Sequence, residues 1–315
     1  MRKLCLKVLR KLLKKPYSEY SNEFAELTGQ DANDYIRNAI HNSESGLMIS
    51  KWGTIELGTV CTLLRKELNI PIMDTLRGKV PIDEQAQLNW LIKNSGFFPN
   101  DIGQARRFCY MALQDSSQID ILGSYLQREY YIKKYIDKAV KVDLEGYYAP
   151  FLWDKPWTME LKGKKVLVVH PFAESIKGQY KKREKLFENP DVLPEFQSLT
   201  VIQAVQSIAG NGENTGFKDW FEALDYMKQQ MDEFDYDVAL IGCGAYGMSL
   251  AAHAKRKGKI AIHLAGWTQM LFGIYGKRWL EDQPKYARFV NEYWIKPSAN
   301  ERPKGAEKVE NACYW

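Results

Sequence analysis

Short apolar runs alternate with helical patterns along most of the chain. The runs are GLMIS (46–50), DILGS (120–124), KKVLVVHPF (164–172), LTVIQAV (199–205), DVALI (237–241) and KIAIHL (259–264). Continuous apolar strands separated by helices are typical of parallel sheets that are covered by helices on both faces. The sequence therefore predicts an α/β fold with a doubly wound, largely parallel, Rossmann-like sheet.

Helical periodicity predicts the elements that lie between these runs. The predicted helices are TIELGTVCTLLRKEL (54–68), DEQAQLNWLIKN (83–94), NDIGQARRFCYMALQ (100–114), LQREYYIKKYIDKA (126–139), ESIKGQYKKREKLF (174–187) and FKDWFEALDYMKQQM (217–231). Asp83 and Asn100 are the expected N-caps of the second and third helices. A short side-chain oxygen at that position accepts a hydrogen bond from the first turn of the helix.

A glycine pattern follows DVALI. Gly242, Gly244 and Gly247 have the spacing G-x-G-x-x-G, and a helical pattern with Lys255 and Arg256 near its end comes next. Such a turn presents backbone N–H groups to a phosphate at a helix N-terminus. The alternative is a strand–turn–helix that needs small residues only for close packing.

Two observations argue against NAD as the ligand of this glycine turn. A dinucleotide fold places an Asp or Glu about 20 residues further on, at the end of the next strand, where it binds the ribose hydroxyls. In this chain the next strand ends in His263, Leu264 and Ala265. No second series of strand and helix patterns follows Gly266. The pattern therefore favours a mononucleotide or sugar-nucleotide pocket.

Positive charge is concentrated at the start of the chain. Residues 1–15, MRKLCLKVLRKLLKK, contain seven Lys and Arg residues and no acid, whereas the net charge of the whole chain is +5. The remainder is therefore slightly acidic, and nothing in it indicates nucleic-acid binding. The leucines of residues 1–15 recur at helical spacing with the cations largely on the other face, a pattern typical of a helix on an anionic membrane surface. A first helix packed on the domain is the alternative.

Cysteine and histidine spacing indicates neither a disulfide framework nor a metal centre. The 5 cysteines lie far apart with no C-x-x-C pair, and the 4 histidines show no H-E-x-x-H pattern. Such cysteine usage fits a reducing cytosol. We therefore expect a cytoplasmic protein that associates peripherally with the inner face of the cell membrane. Its predicted parts are a basic amphipathic helix (1–16), a single α/β domain (17–296) and a tail that docks on the domain (297–315).

Polar residues and glycines follow several of the predicted strands. Ligands of doubly wound sheets bind outside the carboxyl ends of the strands, so these residues are candidates for one pocket. The candidates are Lys51, Gly53, Thr54 and Glu56 after GLMIS, His170 and Glu174 after VLVV, Gln203 and Gln206 after LTVI, the turn from Gly242 to Gly247 after DVALI, and Gly266, Trp267, Thr268 and Gln269 after AIHL.

Two segments resemble bacterial GT-D-type glycosyltransferases, which work in capsule, O-antigen and glycoprotein glycan assembly. SKWGTIELG (50–58) is similar to their [R/K]-x-G-x-x-E element. Residues 239–279 are similar to their carboxy-terminal strand–glycine turn–helix–strand block and, more closely, to proteins of surface-polysaccharide gene clusters. The likeness extends over residues 45–295. The family motif is D-x-E, and this chain matches it at Glu56 but has Thr54 at the Asp position.

The resemblance implies transfer of a sugar from a nucleotide-sugar donor to a glycan acceptor. Because the start of the chain predicts a membrane-surface helix, we expect this acceptor to be lipid-linked. Catalysis is assigned to Glu56 or His170 as the base. The predicted nucleotide-sugar contacts are Lys51, Gly53, Thr54, Gly242, Gly244, Tyr246, Gly247, Gly266, Thr268, Gln269, Lys277 and Arg278; the predicted acceptor or sugar contacts are Glu174, Gln203, Gln206 and Trp267.

Metal dependence is left open by the motif. The family implies a divalent cation, Mn²⁺ or Mg²⁺, and Glu56 is its candidate ligand; the alternative is that Lys51 neutralises the diphosphate in its place. Two other functions stay open at this point. One is an NAD(P)-dependent oxidoreductase that uses the glycine turn, and the other is a non-catalytic protein of a polysaccharide cluster.

Overall fold

The computed structural model describes residues 9–315, and a seven-stranded sheet lies at its centre. Its strands are β1 (Leu47–Lys51), β2 (Ile121–Gly123), β3 (Val140–Val142), β4 (Lys165–His170), β5 (Ser198–Gln203), β6 (Val238–Ile241) and β7 (Ile260–His263). Their order across the sheet is β3-β2-β1-β7-β6-β4-β5. Every neighbouring pair is parallel. The predicted doubly wound parallel sheet is confirmed.

Helices connect and cover the strands. They are α1 (Gly29–His41), α2 (Thr54–Leu63), α3 (Ile72–Leu76), α4 (Glu84–Trp90), α5 (Ile102–Ser116), α6 (Lys133–Ile136), α7 (Leu144–Tyr148), α8 (Ala173–Tyr180), α9 (Trp220–Asp232), α10 (Gly247–Arg256) and α11 (Trp267–Leu271). Asp83 caps α4 by accepting from the Ala86 N–H. The cap of α5 is Asp101, not the predicted Asn100, whose side-chain oxygen instead accepts from Gln85.

Three elements differ from those that the sequence pattern predicts. Strand β3 was not predicted, because it is only three residues long and has Lys141 at its centre. The predicted helix over 126–139 is a 3-10 helix, Gln127–Ile132, followed by the single turn of α6. Helix α8 ends at Tyr180, well before the predicted end at 187. The charged residues after it form a surface turn.

Each face of the sheet has its own hydrophobic core. Met48 of β1 points into the first core, whereas its neighbours Leu47 and Ile49 belong to the second. Helices α2, α5, α9 and α10 cover the first face, and α1, α8 and α11 cover the second. Burial on both faces explains why the strands read as continuous apolar runs rather than as alternating patterns.

The start of the chain lies beside the segment that follows α3. Residues 9–13 are helical, and Lys15 donates from its backbone to the Arg77 carbonyl at 3.2 Å. The first eight residues of the predicted basic helix lie outside the described residues. Between residues 9 and 315, no helix combines the length and the apolar character needed to cross a membrane.

The tail, residues 297–315, packs along the carboxyl edge of the sheet. Its Glu301 carboxylate lies at the N-terminus of α8, where it accepts from the backbone N–H groups of Glu174 at 2.8 Å and Ser175 at 3.1 Å. The Trp315 ring is buried against Phe172, with ring centroids 6.0 Å apart. The tail therefore covers the space that follows β4.

Candidate functional site

A cleft of about 820 Å³ opens at the carboxyl edge of the sheet. Its lining begins with residues that follow β1 and β7, two strands that are neighbours in the sheet. The chain leaves β1 into α2 on one face and leaves β7 into α11 on the other. Connections that depart to opposite faces leave a crevice between them, the usual ligand position of this architecture.

The cleft contains predicted residues from two distant segments of the chain. Those that line it are Lys51, Gly53, Thr54, Glu56, Gly244, Gly266, Trp267 and Arg278. Parallel pairing of β1 with β7 brings these residues together, because it places the carboxyl ends of the two strands side by side.

Charged groups of both signs face one another in the cleft. Burial lowers the pKa of Lys51; the nearby Arg278 acts in the same direction, whereas Glu56 and Glu310 oppose it. Arg278 pairs with the Glu310 carboxylate and donates to the Tyr314 hydroxyl at 3.1 Å. The pKa of Arg278 is raised: burial opposes the shift, and Tyr314, Cys313 and Glu310 produce it. Both cations therefore lie where an anionic ligand would enter.

Glu56 lies in the first turn of α2, beside Gly53. A Cβ atom on Gly53 would collide with the Glu56 carboxylate in its present position, so a larger residue there would displace this side chain. A carboxylate at a helix N-terminus stabilises its own helix through the helix dipole. Glu56 thus has a structural role in addition to any chemical one.

Aromatic rings form two walls of the cleft. Tyr148 and Trp267 are stacked with centroids 3.9 Å apart, and Tyr20 and Tyr125 are stacked at 6.0 Å. Lys51 Nζ lies over the Tyr125 ring at 5.5 Å, and the Tyr125 hydroxyl donates to the Trp52 carbonyl at 2.9 Å. Flat rings of this kind are suited to contact the face of a sugar or a base.

The glycines of the turn are required by the protein's own packing. A Cβ on Gly247 would lie 2.2 Å from the His263 ring, and one on Gly242 would lie 2.4 Å from the Ala265 carbonyl oxygen. Gly244 has φ +58° and would meet the Ser95 carbonyl at 2.7 Å. Of the three glycines, Gly244 alone lines the cleft. The G-x-G-x-x-G spacing therefore has a packing explanation, whether or not a phosphate binds beside it.

The other predicted contacts do not line the cleft. They are His170, Glu174, Gln203, Gln206, Gly242, Tyr246, Gly247, Thr268, Gln269 and Lys277. Tyr246 is buried with its ring stacked on Trp220, and Gln269 bonds to the Tyr314 carbonyl. The side chains of Lys277 and Gln203 are exposed to solvent.

His170 corrects the expectation that it shares a crevice with Glu56. Its side chain is 2 % exposed, and Nδ1 accepts from the Phe172 N–H at 3.0 Å. Burial lowers the pKa of His170 to about 3. It is a neutral interior residue that shapes the turn after β4, because β4 lies beyond β6 and its carboxyl end is covered by the tail.

A different histidine, His263, lines the cleft at the end of β7. Its Nδ1 lies 3.1 Å from the Ser50 hydroxyl. Burial, and to a lesser extent the charge of Lys51, lowers the pKa of His263 to about 3. The ring is therefore neutral at physiological pH. It also occupies the strand end at which a dinucleotide fold would place its ribose-binding carboxylate.

The acidic residues of the cleft do not form a metal site. Residues 9–315 contain no group of three or more His, Cys, Asp or Glu side chains that could hold an ion. Asp143 caps α7 through the Gly146 N–H, and Glu145 pairs with Lys285. Glu56 lies near the positive charge of Lys51. The residues present do not fit a divalent cation held by the protein alone.

Several cleft residues were missed by sequence reasoning. Tyr125 comes two residues after β2, so the rule of strand ends points to it, whereas Asp143 follows β3, a strand that no sequence pattern predicts. Asn94 belongs to a π-helical turn, Leu91–Ser95, for which the sequence has no recognisable signal. Glu310 and Tyr314 reach the cleft from the tail, far from any motif.

Comparisons of the chain with protein-family models, with curated proteins and with solved structures found no match. The functional argument therefore depends on the fold, the cleft and the chemistry of the residues in it.

Proposed function

We propose that this protein is a glycosyltransferase that moves a sugar from a nucleotide-sugar donor to a glycan acceptor in surface-polysaccharide synthesis. The observation that carries the proposal is the convergence of Lys51, Glu56 and Arg278 in one cleft beside Gly244. All four lie in the two segments that resemble the GT-D family. Cations, a carboxylate and aromatic walls together match a ligand that has a diphosphate and a sugar.

The reaction requires charge stabilisation on the leaving group. The bond between the anomeric carbon and the diphosphate oxygen breaks, and the acceptor hydroxyl forms the new glycosidic bond at that carbon. Lys51 and Arg278 neutralise the negative charge that develops on the diphosphate. The hydroxyl proton goes to the Glu56 carboxylate, which acts as the general base.

A thermal-shift screen tests the proposal. A ligand that binds only the native state raises the melting temperature by an amount set by its concentration relative to Kd. We expect UDP-, GDP-, CMP- or dTDP-sugars to stabilise the protein, in parallel assays with and without Mn²⁺. Stabilisation by NAD(P)H alone would replace the proposal with the oxidoreductase, and no stabilisation by any nucleotide would contradict both.

We propose further that the acceptor is presented at an anionic membrane surface. Leu9, Leu12 and Leu13 are exposed, Leu12 by 77 %, and Lys11 and Lys14 are exposed beside them. The chain then runs to Tyr20, which lines the cleft. A helix with exposed leucines and cations fits the headgroup region of anionic lipid.

Co-sedimentation with anionic vesicles checks this second part. The variant Leu12→Asp should pellet less than wild type at low salt, with an unchanged melting temperature because the side chain is exposed. Wild-type binding should also weaken at about 0.5 M salt, where surface charges are screened. Equal sedimentation of the two proteins would remove the membrane from the proposal without affecting the cleft.

A further inference from the structure

One side of the cleft is apolar. Phe108 and Ala112 of α5, Ala245 just before α10 and Met248 in its first turn are all buried, and all four line the cleft. Helices α5 and α10 pack against each other, so these side chains form one continuous surface, here called the apolar wall. A wall of carbon atoms has no partner for the hydroxyls of a sugar, and burial of unpaired hydroxyls is unfavourable.

An unpaired amide lies next to the apolar wall. Asn94 lines the cleft, and its Nδ2 and Oδ1 atoms are shielded from solvent without a hydrogen-bond partner among residues 9–315. Buried polar groups are normally paired in native proteins, and an exception calls for an explanation such as a ligand. Asn94 also lies in the π-helical turn Leu91–Ser95, and such turns are frequent at functional sites.

The amide lies close to the glycine turn. The carbonyl of Ser95, the residue that follows Asn94, contacts Gly244. The π-helical turn therefore touches the glycine turn just before α10. The glycine turn presents its backbone to the cleft at this point. A group bound at Asn94 and a phosphate bound beside Gly244 could therefore belong to one ligand.

We infer that Asn94 and the apolar wall form the nucleobase subsite of the cleft. The inference rests on the proposed function, since it assigns one part of the nucleotide that the cleft takes. The flat, largely apolar faces of a base suit the wall made by Phe108, Ala112 and Met248. The Asn94 amide offers one donor and one acceptor side by side, which matches the adjacent donor and acceptor on the edge of a base. All the common bases have such an edge, so the subsite recognises a base without selecting one.

Isothermal titration with UDP, ADP, GDP, CDP and inorganic pyrophosphate tests the inference on the variant Asn94→Leu. We expect affinity for the nucleoside diphosphates to fall about tenfold, the effect of losing a hydrogen-bonded pair in a desolvated site. Pyrophosphate, which has no base, should bind as it does to wild type. The melting temperature should stay the same or rise, because leucine removes an unpaired buried amide. A merely structural role for Asn94 predicts the opposite change in stability.

Asn89→Leu is the matched control. Asn89 is on the same helical segment and exposed, and it does not line the cleft, so all affinities should remain at wild-type values. If wild type binds nucleoside diphosphates more tightly than pyrophosphate and Asn94→Leu does not change this, the base lies elsewhere and only the subsite is wrong. If wild type binds pyrophosphate as tightly as the nucleotides, the base makes no contact and the subsite is again wrong. If wild type binds no nucleotide, the proposed function fails and the subsite with it.

Discussion

Two places at the carboxyl edge of the sheet have the same kind of connectivity but different contents. Between β1 and β7, and between β6 and β4, neighbouring strands send their connections to opposite faces. The first place is the cleft of about 820 Å³. At the second, Gly242 is enclosed by the Ala265 carbonyl, the Thr268 hydroxyl and the His170 ring.

The tail accounts for part of this difference. Trp315 packs on Phe172 after β4, and Glu301 caps α8 at the same end of the sheet. At the cleft, by contrast, the tail contributes Glu310 and Tyr314 to the lining but does not fill the space. The rule that ligands bind at strand ends therefore identifies an edge of the sheet. Packing decides which part of that edge is open.

The comparison is tested most strongly by the two residues that were predicted as catalytic bases. Glu56→Gln removes the carboxylate charge from the cleft, and we expect turnover to fall at least about 100-fold, in the range for loss of a general base. The melting temperature should fall only slightly, because the amide keeps the shape of the side chain and loses only the helix-dipole contribution of one charge, about 0.3–1 kcal/mol. Steady-state transfer assays with the donor found in the thermal-shift screen provide the measurement.

His170→Asn is the matched variant at the second place, the edge between β6 and β4 where the tail covers the sheet. The asparagine oxygen can accept from the Phe172 N–H in place of Nδ1, so folding should be retained. Turnover should stay within about threefold of wild type, well short of the contribution of a general base. A large loss of turnover with His170→Asn and none with Glu56→Gln would reverse the assignment of the site.

Lys51 in the cleft and Lys277 outside it provide a second comparison, with a smaller expected effect. Lys51→Met should weaken binding of inorganic pyrophosphate by about 10- to 100-fold, as expected for loss of a hydrogen bond between charged groups. Lys277→Met is the control, because Lys277 is exposed and does not line the cleft. Equal effects of the two substitutions would mean that net charge, not position in the cleft, determines binding.

Wild type and Lys51→Met should also differ in how their affinity for pyrophosphate depends on pH. Burial lowers the pKa of Lys51 from its usual 10.5, so the free protein loses this proton at a lower pH than an exposed lysine does. The protonated form binds the anion. Wild-type affinity should therefore decrease as the pH is raised through the lowered pKa, and Lys51→Met should not show that decrease. Pyrophosphate affinity should be measured between about pH 7 and 10 in matched buffers, a range that lies below the ordinary pKa of lysine.

The sequence was informative where local patterns determine structure. Apolar runs located six strands of the sheet, and pairing of β1 with β7 brought Lys51 and Gly266 together as the rule of strand ends requires. The same rule was misleading for His170 and Gln203. Their strands lie beyond β6, and the strand order depends on long-range pairing that no local pattern encodes.

Residues that reach the cleft from distant segments could not be predicted for a related reason. Glu310 and Tyr314 meet Arg278 only because the tail folds back over β7, with the Tyr314 ring against Gly266. Asn94 enters through a π-helical turn. The position of such residues depends on tertiary packing, which overrides local propensity. Strand β3 shows the same limit on a small scale, because pairing with β2 stabilises three residues that have no clear strand pattern.

The smallest expected effect is the contribution of His170, at the edge between β6 and β4, to the pH dependence of the free energy of unfolding. Burial lowers the pKa of His170 to about 3 from 6.5, so the folded protein keeps the ring neutral while the unfolded chain binds a proton. Below about pH 6.5 the unfolded state holds more protons, and stability is lost as the pH falls from there towards the folded-state value. At pH 5.5 the loss from one such histidine is about 1.4 kcal/mol. His170→Asn removes this group, so its free energy of unfolding should fall by about 1.4 kcal/mol less than that of wild type between pH 7.5 and 5.5. Urea denaturation at the two pH values measures the difference. Identical losses in the two proteins would mean that the ring can gain a proton in the folded state, and the second place would then be more open to water than its packing indicates.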